Sequence, residues 1–442
     1  MKKELGISVL LLALCTVTAI MNPRFISPVN LVNLANSIGL FGIFSLGLGL
    51  VIITGGIDLS VGSVFALAGV LLAMALTEWS WSWRSWDFST AQITHEQIFV
   101  EKLQSASDPV SKYLWNQFPE EFRQEISKAN GGANTISRQR LAQELNQILR
   151  LDSIYEKRRF ADVTLNSLTQ KLLTKDAPGK SHIRLNRLLI EAAYPGLFAR
   201  AHQYWPWTLA ALLAIAIPTG LGWANGWLIT RLKIQPFVVT LCGLLLYRGL
   251  ARFIAGDSTK GFGNAEGFET LRELAKGKLF GLPMPFVILI VITVVMWFVL
   301  HRSIYGRYLL AVGRNEESTR FSGVNTRRVI ASSYVVAGAL TGVAGVLLAF
   351  YTNSISPSNH GSFYELYGIA AAVLGGCSLR GGEGSIVGII IGTALFQVLQ
   401  NVVNLLSIPS SLNFTVMGAV VLLGVLADQI IQKRSEQKQA RD

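Results

Sequence analysis

Long apolar segments separated by short polar ones run through most of this chain of 442 residues. An α-helix rises about 1.5 Å per residue, so apolar segments of about 17 to 24 residues match the roughly 30 Å hydrocarbon core of a bilayer. The pattern predicts an all-α integral membrane protein with about ten transmembrane or re-entrant helices. The predicted spans are 5–21, 33–54, 61–77, 207–230, 235–254, 284–300, 329–351, 366–376, 384–405 and 412–428.

One predicted span, 366–376, is too short to cross the bilayer by itself. We therefore expect a broken or re-entrant helix there, covered by protein or by a water-filled pathway. Counted as one of ten spans, it leaves both ends of the chain on the same side of the membrane.

Basic residues cluster in the short polar segments beside the apolar spans, as at Lys2, Lys3, Arg231 and Lys233 and in the tail 433–441. Such segments face the cytoplasm in membrane proteins, which predicts that both termini are cytoplasmic. This distribution also explains the formal net charge of +12. No nucleic-acid partner is indicated, because that would need a basic surface able to reach phosphate groups.

Residues 79–204 differ from the rest of the chain because they are polar and charged. They begin with a tryptophan cluster typical of a membrane interface, and leucines recur at helical spacing at Leu141 and Leu145 and again from Leu165 to Leu172. We predict membrane segments 1–78 and 205–442, separated by a small helical extracytoplasmic domain at 79–204. Long loops escape the charge rule, so the positive charge of this insertion is compatible with that side.

Two polar, glycine-rich breaks, here called elbow 1 (residues 54–60) and elbow 2 (residues 375–385), interrupt the apolar sequence. Each follows an inward-going span and precedes an outward-going one, which predicts a parallel internal repeat. A bilayer tolerates broken backbone only beside protein or a water-filled route, so the elbows are candidates for a transport pathway. The candidate residues in and beside them are Gly55, Gly56, Asp58, Ser60, Gly62, Gly375, Gly376 and Gly384.

Two interpretations of these residues stay open on sequence alone. Asp58 lines a pathway or carries a proton, or else Asp58 or Ser60 caps the helix that begins at Val61. The glycines line a pathway, or they allow close helix packing.

The polar segment 301–328 contains a second candidate region. Its pattern predicts an amphipathic helix up to Gly313, then a second helix starting at Glu316 and Glu317, with Arg320 one turn later and Gly323 where a helix would stop. A short helix held outside the membrane between two spans is suited to contact a partner protein. An ordinary charged loop is the alternative.

The sequence indicates no catalytic chemistry of its own. Gly179-Lys180-Ser181 resembles the end of a phosphate-binding loop, but Thr174 stands where the leading glycine is required. The histidines and the three cysteines are scattered without metal-ligand spacing or a nucleophile–base pair. We expect no metal and no cofactor on this chain, and we expect any ATP that drives it to be bound by another polypeptide.

Three runs carry a resemblance to a known family: Gly-Gly-Ile-Asp-Leu-Ser-Val-Gly-Ser at 55–63, Ala-Val-Gly-Arg-Asn-Glu-Glu-Ser-Thr-Arg-Phe-Ser-Gly-Val at 311–324, and Ala-Ala-Val-Leu-Gly-Gly-Cys-Ser-Leu-Arg-Gly-Gly-Glu-Gly-Ser-Ile-Val-Gly at 371–388. In this order they resemble the permease subunits of bacterial ribose, galactose and xylose ABC importers. The similarity covers residues 1–78 and 205–442, and the insertion 79–204 departs from the family pattern.

This resemblance implies an ATP-driven importer for a monosaccharide or similar small polar solute in the bacterial inner membrane. Its implied partners are an ATPase subunit that binds ATP and Mg²⁺, a second permease copy or paralogue, and a periplasmic solute-binding protein. By position, the residues that match the family's ATPase-coupling loop are Gly313, Arg314, Asn315, Glu316, Glu317, Arg320 and Gly323.

Two other functions remain to be weighed against this expectation. One is a secondary transporter driven by protons or sodium, with Asp58 as the coupling carboxylate. The other is a membrane scaffold or receptor built around residues 79–204, in which the elbows would have no evident need.

Overall fold

The computed structural model describes residues 2–79, 118–129, 138–150, 205–262 and 268–406, together with scattered positions in 115–116 and 408–422. The chain divides into two compact units, one formed by residues 1–79 and 204–442 and the other by residues 80–203. Most of the last predicted span (412–428), most of the tryptophan cluster, the Leu165–Leu172 stripe and Gly179-Lys180-Ser181 lie outside the described residues.

The described structure is almost entirely helical, as the hydrophobic pattern predicts. Its helices are α1 Lys2–Met21, α2 Pro28–Ile53, α3 Val61–Thr77, α4 Glu120–Ala129, α5 Arg138–Arg150, α6 Trp207–Arg231, α7 Pro236–Ile254, α8 Glu269–Lys276, α9 Met284–Trp297, α10 Ile304–Arg314, α11 Glu316–Phe321, α12 Thr326–Thr352, α13 Tyr364–Leu374 and α14 Ile386–Leu405. A 3₁₀ turn, Pro23–Ile26, precedes α2, and a π-helical turn, Phe298–Arg302, extends α9.

Six of the described helices are long and apolar enough to cross a membrane: α2, α6, α7, α9 with its π-helical turn, α12 and α14. Three shorter apolar helices, α1, α3 and α13, accompany them. Each corresponds to a predicted span, and α13, with 11 residues, is the short segment predicted at 366–376. The prediction of an all-α membrane protein is confirmed.

Helices α6 and α12 pack closely because glycines on each lie against the backbone of the other. An added Cβ on Gly222 or Gly226 of α6 would collide with the backbone of α12 at Tyr334 or Ala331. Gly338 on α12 likewise lies against the carbonyl oxygen of Pro218. Small residues spaced by four let two helix backbones approach closely in a membrane, where packing replaces the hydrophobic effect as the main attraction.

An aromatic cluster joins α2, α3 and α13. The ring of Tyr364 lies 4.6 Å from that of Phe41 and 5.2 Å from that of Phe65, between centroids, and it stacks on Phe44 at 5.9 Å. Helix α13, although short, is therefore fixed at its first residue against two neighbouring helices.

The ends of α3, α7 and α12 are linked. Strand β1 (Lys260–Gly261), which follows α7, pairs antiparallel with β4 (Ser354–Ile355), which follows α12. The ammonium of Lys260 contacts the Glu78 carboxylate at 2.6 Å, just after α3. A small hairpin of β2 (Lys278–Leu279) and β3 (Leu282–Pro283) leads into α9.

The second unit is described at two helices, α4 and α5. Phe118 and Phe122 are buried and in ring contact at 5.1 Å, and Leu141 and Leu145 on α5 are fully buried. The apolar stripe predicted at Leu141 and Leu145 is thus the buried face of a helix.

Candidate functional site

Both elbows begin with the same backbone turn. In elbow 1 the N–H of Gly55 donates to the Ile52 carbonyl and the N–H of Gly56 to the Val51 carbonyl. In elbow 2 the N–H groups of Gly376 and Cys377 donate in the same pattern, to Val373 and Ala372. This is the Schellman ending of a helix, which places one residue in the left-handed region.

The glycine in that region is Gly55 (φ +80°) in elbow 1 and Gly376 (φ +89°) in elbow 2. The shared turn therefore aligns Gly55 with Gly376, one residue away from the alignment of the two glycine doublets. Ser60 and Ser385 are the residues before α3 and α14, whereas Gly62 lies within α3 and Gly384 before α14. The Gly-Ser pairs at 62–63 and 384–385 are consequently not equivalent in structure.

Asp58 lies in elbow 1, between the end of α2 and the start of α3, and its buried side chain binds Ser60. One carboxylate oxygen, Oδ1, accepts both the Ser60 backbone N–H at 2.9 Å and the Ser60 hydroxyl at 2.6 Å. No side chain caps α3, because the Ser60 hydroxyl points to Asp58. The predicted cap is corrected accordingly: Asp58 fixes the residue before α3 and accepts no hydrogen bond from within the helix.

This pair belongs to a buried chain of hydrogen bonds. Asn225 on α6 donates its amide to Ser60 Oγ at 3.1 Å, and the hydroxyl of Tyr247 on α7 donates to Asn225 Oδ1 at 2.8 Å. Polar side chains inside a membrane protein are costly unless paired in this way. These hydrogen bonds connect elbow 1 to the two long helices α6 and α7.

A small cavity adjoins this hydrogen-bonded chain. It is lined by residues of α3, α6 and α12 together with Asp58 and Ser60, among them Asn225 and Thr341. It has room for about one water molecule. A monosaccharide does not fit there in this conformation.

Most of the glycines singled out from sequence are positions of close packing. A methyl group on Gly56 would meet the Tyr334 hydroxyl, and one on Gly62 would meet the Gly361 carbonyl and the Glu365 carboxylate. In elbow 2, a methyl group on Gly375 would meet the backbone of α14, and one on Gly384 would meet the side chain of Ile53. These contacts support the packing interpretation at four positions.

The loop between α12 and α13 is held by an arginine from within a span. Arg248 on α7 donates from one guanidinium nitrogen to the carbonyl oxygens of Pro357 at 3.0 Å and His360 at 2.6 Å. Nearby, Glu365 is buried, and its Oε2 atom has no hydrogen-bond partner in the described part of the chain.

The segment between α9 and α12 has the predicted two-helix form. Helix α10 ends at Arg314, Asn315 Oδ1 accepts the Ser318 N–H at 2.9 Å to begin α11, and Gly323 (φ +85°) follows the end of α11. Most residues of this two-helix segment are exposed. The exposed residues include six of the seven predicted coupling residues: Arg314, Asn315, Glu316, Glu317, Arg320 and Gly323.

Three backbone segments meet where α10 ends. The N–H of Gly382 in elbow 2 donates to the carbonyl oxygen of Ile53, the last residue of α2, at 2.8 Å. Gly313 lies against both partners of this hydrogen bond. The contact, here called the glycine junction, joins both elbows to the α10–α11 segment.

Comparison with known proteins agrees with this architecture. The family model described as branched-chain amino acid transport system, permease component, matches residues 30–100 and 186–425. The chain belongs to this permease family. No solved structure gave a significant match to the chain.

Several sugar permeases are similar to this one. A ribose import permease of Bacillus subtilis (strain 168) is 28% identical over 428 residues, covering 97% of this permease and 93% of the relative. A ribose import permease of Escherichia coli (strain K12) is 35% identical over 220 residues, covering 50% and 68%. An L-arabinose transport permease of the same strain is 34% identical over 209 residues, covering 47% and 62%.

Sequence reasoning missed several residues of the permease that the fold brings to elbow 1 or to the loop between α12 and α13. Asn225, Tyr247, Arg248 and Glu365 all lie in or at the edge of apolar spans. The sequence contains a usable signal for three of them, since an amide or ionisable side chain inside an apolar span is rare without a partner. Gly382 has no such signal, because its role depends on the approach of Ile53 and Gly313.

Proposed function

We propose that this permease is the transmembrane subunit of an ATP-driven importer for a monosaccharide or a similar small polar solute. The observation that carries the proposal is the glycine junction. An exposed two-helix segment suited to a partner protein is in direct backbone contact with both elbows of the membrane unit. A displacement of this segment would therefore move the two elbows, which are the candidates for the transport pathway.

The solute class is supported by the relatives. Their names assign ribose, L-arabinose and D-allose to permeases that are similar to this chain over about half or more of its length. All three are small polyhydroxylated monosaccharides. The buried hydroxyl, amide and carboxylate groups near elbow 1 are of the kind that hydrogen-bond such solutes once a passage opens.

The partners follow from this function. An ATPase subunit, which binds ATP and Mg²⁺, docks on the α10–α11 segment, a second permease copy or paralogue completes the membrane pathway, and a periplasmic protein delivers the solute. The chain itself needs no cofactor and performs no covalent chemistry. Its termini and the α10–α11 segment face the cytoplasm, and residues 79–204 lie on the opposite side.

Transport follows an alternating-access cycle. ATP binding on the partner displaces the α10–α11 segment, and the elbows then switch the pathway between outward and inward access. The conformation described here has room for about one water molecule beside Asp58. We assign it to a closed stage of that cycle.

The test is to purify the permease from its native membranes in mild detergent and identify the co-purifying proteins by mass spectrometry. We expect an ATPase subunit, and a solute-binding protein recovered with it would lead directly to the solute. Uptake that persists in vesicles depleted of ATP, in a preparation without any ATPase, would contradict the proposal.

A further inference from the structure

We propose that Gly313 is a positioning residue that transmits motion of the α10–α11 segment to both elbows through backbone contact. This inference rests on the proposed function, because it assigns a route to the motion that the ATPase partner would cause.

The first observation is the absence of space at Gly313. A Cβ built there would collide with the carbonyl oxygen of Ile53 and the amide nitrogen of Gly382, the two atoms of the hydrogen bond that joins the end of α2, just before elbow 1, to elbow 2. Gly313 lies inside α10, and its helical backbone conformation is one that any residue can adopt. A glycine is required at this position only because the backbones of Ile53 and Gly382 approach it so closely.

The second observation comes from the opposite side of the contact. A Cβ on Gly381 would lie 2.7 Å from the carbonyl oxygen of Gly313 and 2.8 Å from the amide nitrogen of Gly55. A Cβ on Gly382 would lie 2.8 Å from the amide nitrogen of Arg314. The end of α10 and the two elbows thus touch mainly backbone to backbone, and the Cγ atom of Arg314 adds a side-chain contact at Gly382.

Such a contact transmits displacement well. Side chains absorb small movements by rotating about their χ angles, whereas planar peptide units in contact have no comparable freedom. Tightly packed interfaces tend to switch between discrete arrangements instead of deforming continuously. When α10 moves, Ile53 and Gly382 are therefore expected to move with it.

Both downstream connections are short. Ile53 ends α2, and five residues later Asp58 anchors the residue before α3. Gly382 lies three residues before Ser385, whose hydroxyl accepts the Gly388 N–H at the start of α14. One movement at Gly313 therefore reaches the start of α3 and the start of α14 together.

The test compares G313A with G249A in the complete transporter reconstituted into liposomes. Both variants add one methyl group to a helical glycine, but Gly249 on α7 has no heavy atom within 4 Å of an added Cβ. Solute uptake per ATP hydrolysed is measured in each. We expect G313A to lower this ratio about 5-fold or more, in the range of typical coupling free energies, with the ATPase still bound and hydrolysing ATP. G249A should match the unchanged protein.

A ratio in G313A equal to that in G249A would overturn the inference while leaving the proposed function intact. Uptake by the unchanged transporter that does not depend on ATP would instead refute the proposed function. The two failures are therefore separable within one experiment.

A second measurement covers the case in which G313A does not assemble. Hydrogen exchange of the Gly382 amide is followed in the unchanged transporter, with and without a non-hydrolysable ATP analogue. We expect protection in both states, because the glycine junction moves as a unit. Loss of protection in either state would show that the junction opens, and would overturn the inference.

Discussion

The hydroxyl of Thr326, the first residue of α12, donates a hydrogen bond to the Glu316 carboxylate at 3.0 Å. Glu316 is the first residue of α11, so this bond ties the two helix starts together. The side chain of its neighbour Glu317 is exposed and makes no hydrogen bond or ion pair in the described part of the chain. The two adjacent acidic residues therefore have different roles, which the sequence alone does not distinguish.

We predict that Glu317→Lys weakens binding of the ATPase subunit and lowers uptake, because it reverses an exposed charge on the proposed docking segment. The unfolding temperature should stay unchanged. Co-purification yield and uptake in vesicles measure the effect. Normal ATPase recovery in this variant would remove Glu317 from the docking surface.

The matched control is Thr326→Val, which removes the hydrogen bond to Glu316 and leaves the exposed charges in place. We expect a loss of about 1 kcal/mol in stability from the lost bond, with the ATPase still recovered. Thermal unfolding in detergent measures the first quantity and co-purification the second.

Asp58→Asn separates ATP-driven import from ion-coupled transport. Asparagine keeps the Oδ1 atom that accepts both bonds from Ser60, so the start of α3 is preserved while the charge is lost. We predict uptake within about 2-fold of the unchanged permease, since both hydrogen bonds persist, although each is weaker by about 1 kcal/mol with a neutral acceptor. Abolished uptake, together with loss of uptake on collapse of the ion gradient, would favour the secondary transporter with Asp58 as its coupling carboxylate.

Gly222→Val should weaken the packing of α6 on α12. The added side chain would be forced against the backbone of Tyr334, and overpacking of this kind costs about 1 to 3 kcal/mol. Gly220→Val on the same helix is the control, because an added Cβ there has no heavy atom within 4 Å. A fluorescence-detected unfolding temperature should fall for the first variant only. Equal values for both would show that the two helices separate easily.

Acidification should loosen the loop between α12 and α13. His360 Nδ1 accepts the Ser356 N–H at 2.8 Å, and burial lowers the pKa of this imidazole, helped by the nearby Arg248 guanidinium. Glu365 on α13 interacts electrostatically with that guanidinium and partly offsets its charge.

The direction of this pH effect follows from the difference in the pKa of His360 between the folded and the open loop. A histidine whose pKa is lower in the folded loop stabilises it fully above the ordinary value of about 6.5, and that contribution is lost as the pH falls below this value. Hydrogen exchange in residues 353–363, corrected for intrinsic rates, should therefore rise between pH 7.5 and 5.5. His360→Gln should remove the dependence. An unchanged pH response in that variant would assign the effect to another group.

Local patterns in the sequence determined much of this architecture. Each described apolar span is a helix, and the two-helix form of the α10–α11 segment follows from Asn315, Glu316 and Gly323. These predictions succeed because hydropathy, capping and helix-stopping residues act within one or two turns of the chain. The positive charge beside the spans supports the proposed orientation in the same local way.

Only the tertiary structure decided which elements meet. It paired Asn225 with Ser60 and Gly382 with Ile53, and it showed that Gly55 and Gly376 occupy the same position in the turns that begin the two elbows. These relations join residues far apart in the sequence, and the partners are small or backbone groups that leave no periodic pattern. The physical reason is that a backbone contact at a glycine depends on the approach of another segment, which the glycine's own neighbours in sequence do not specify.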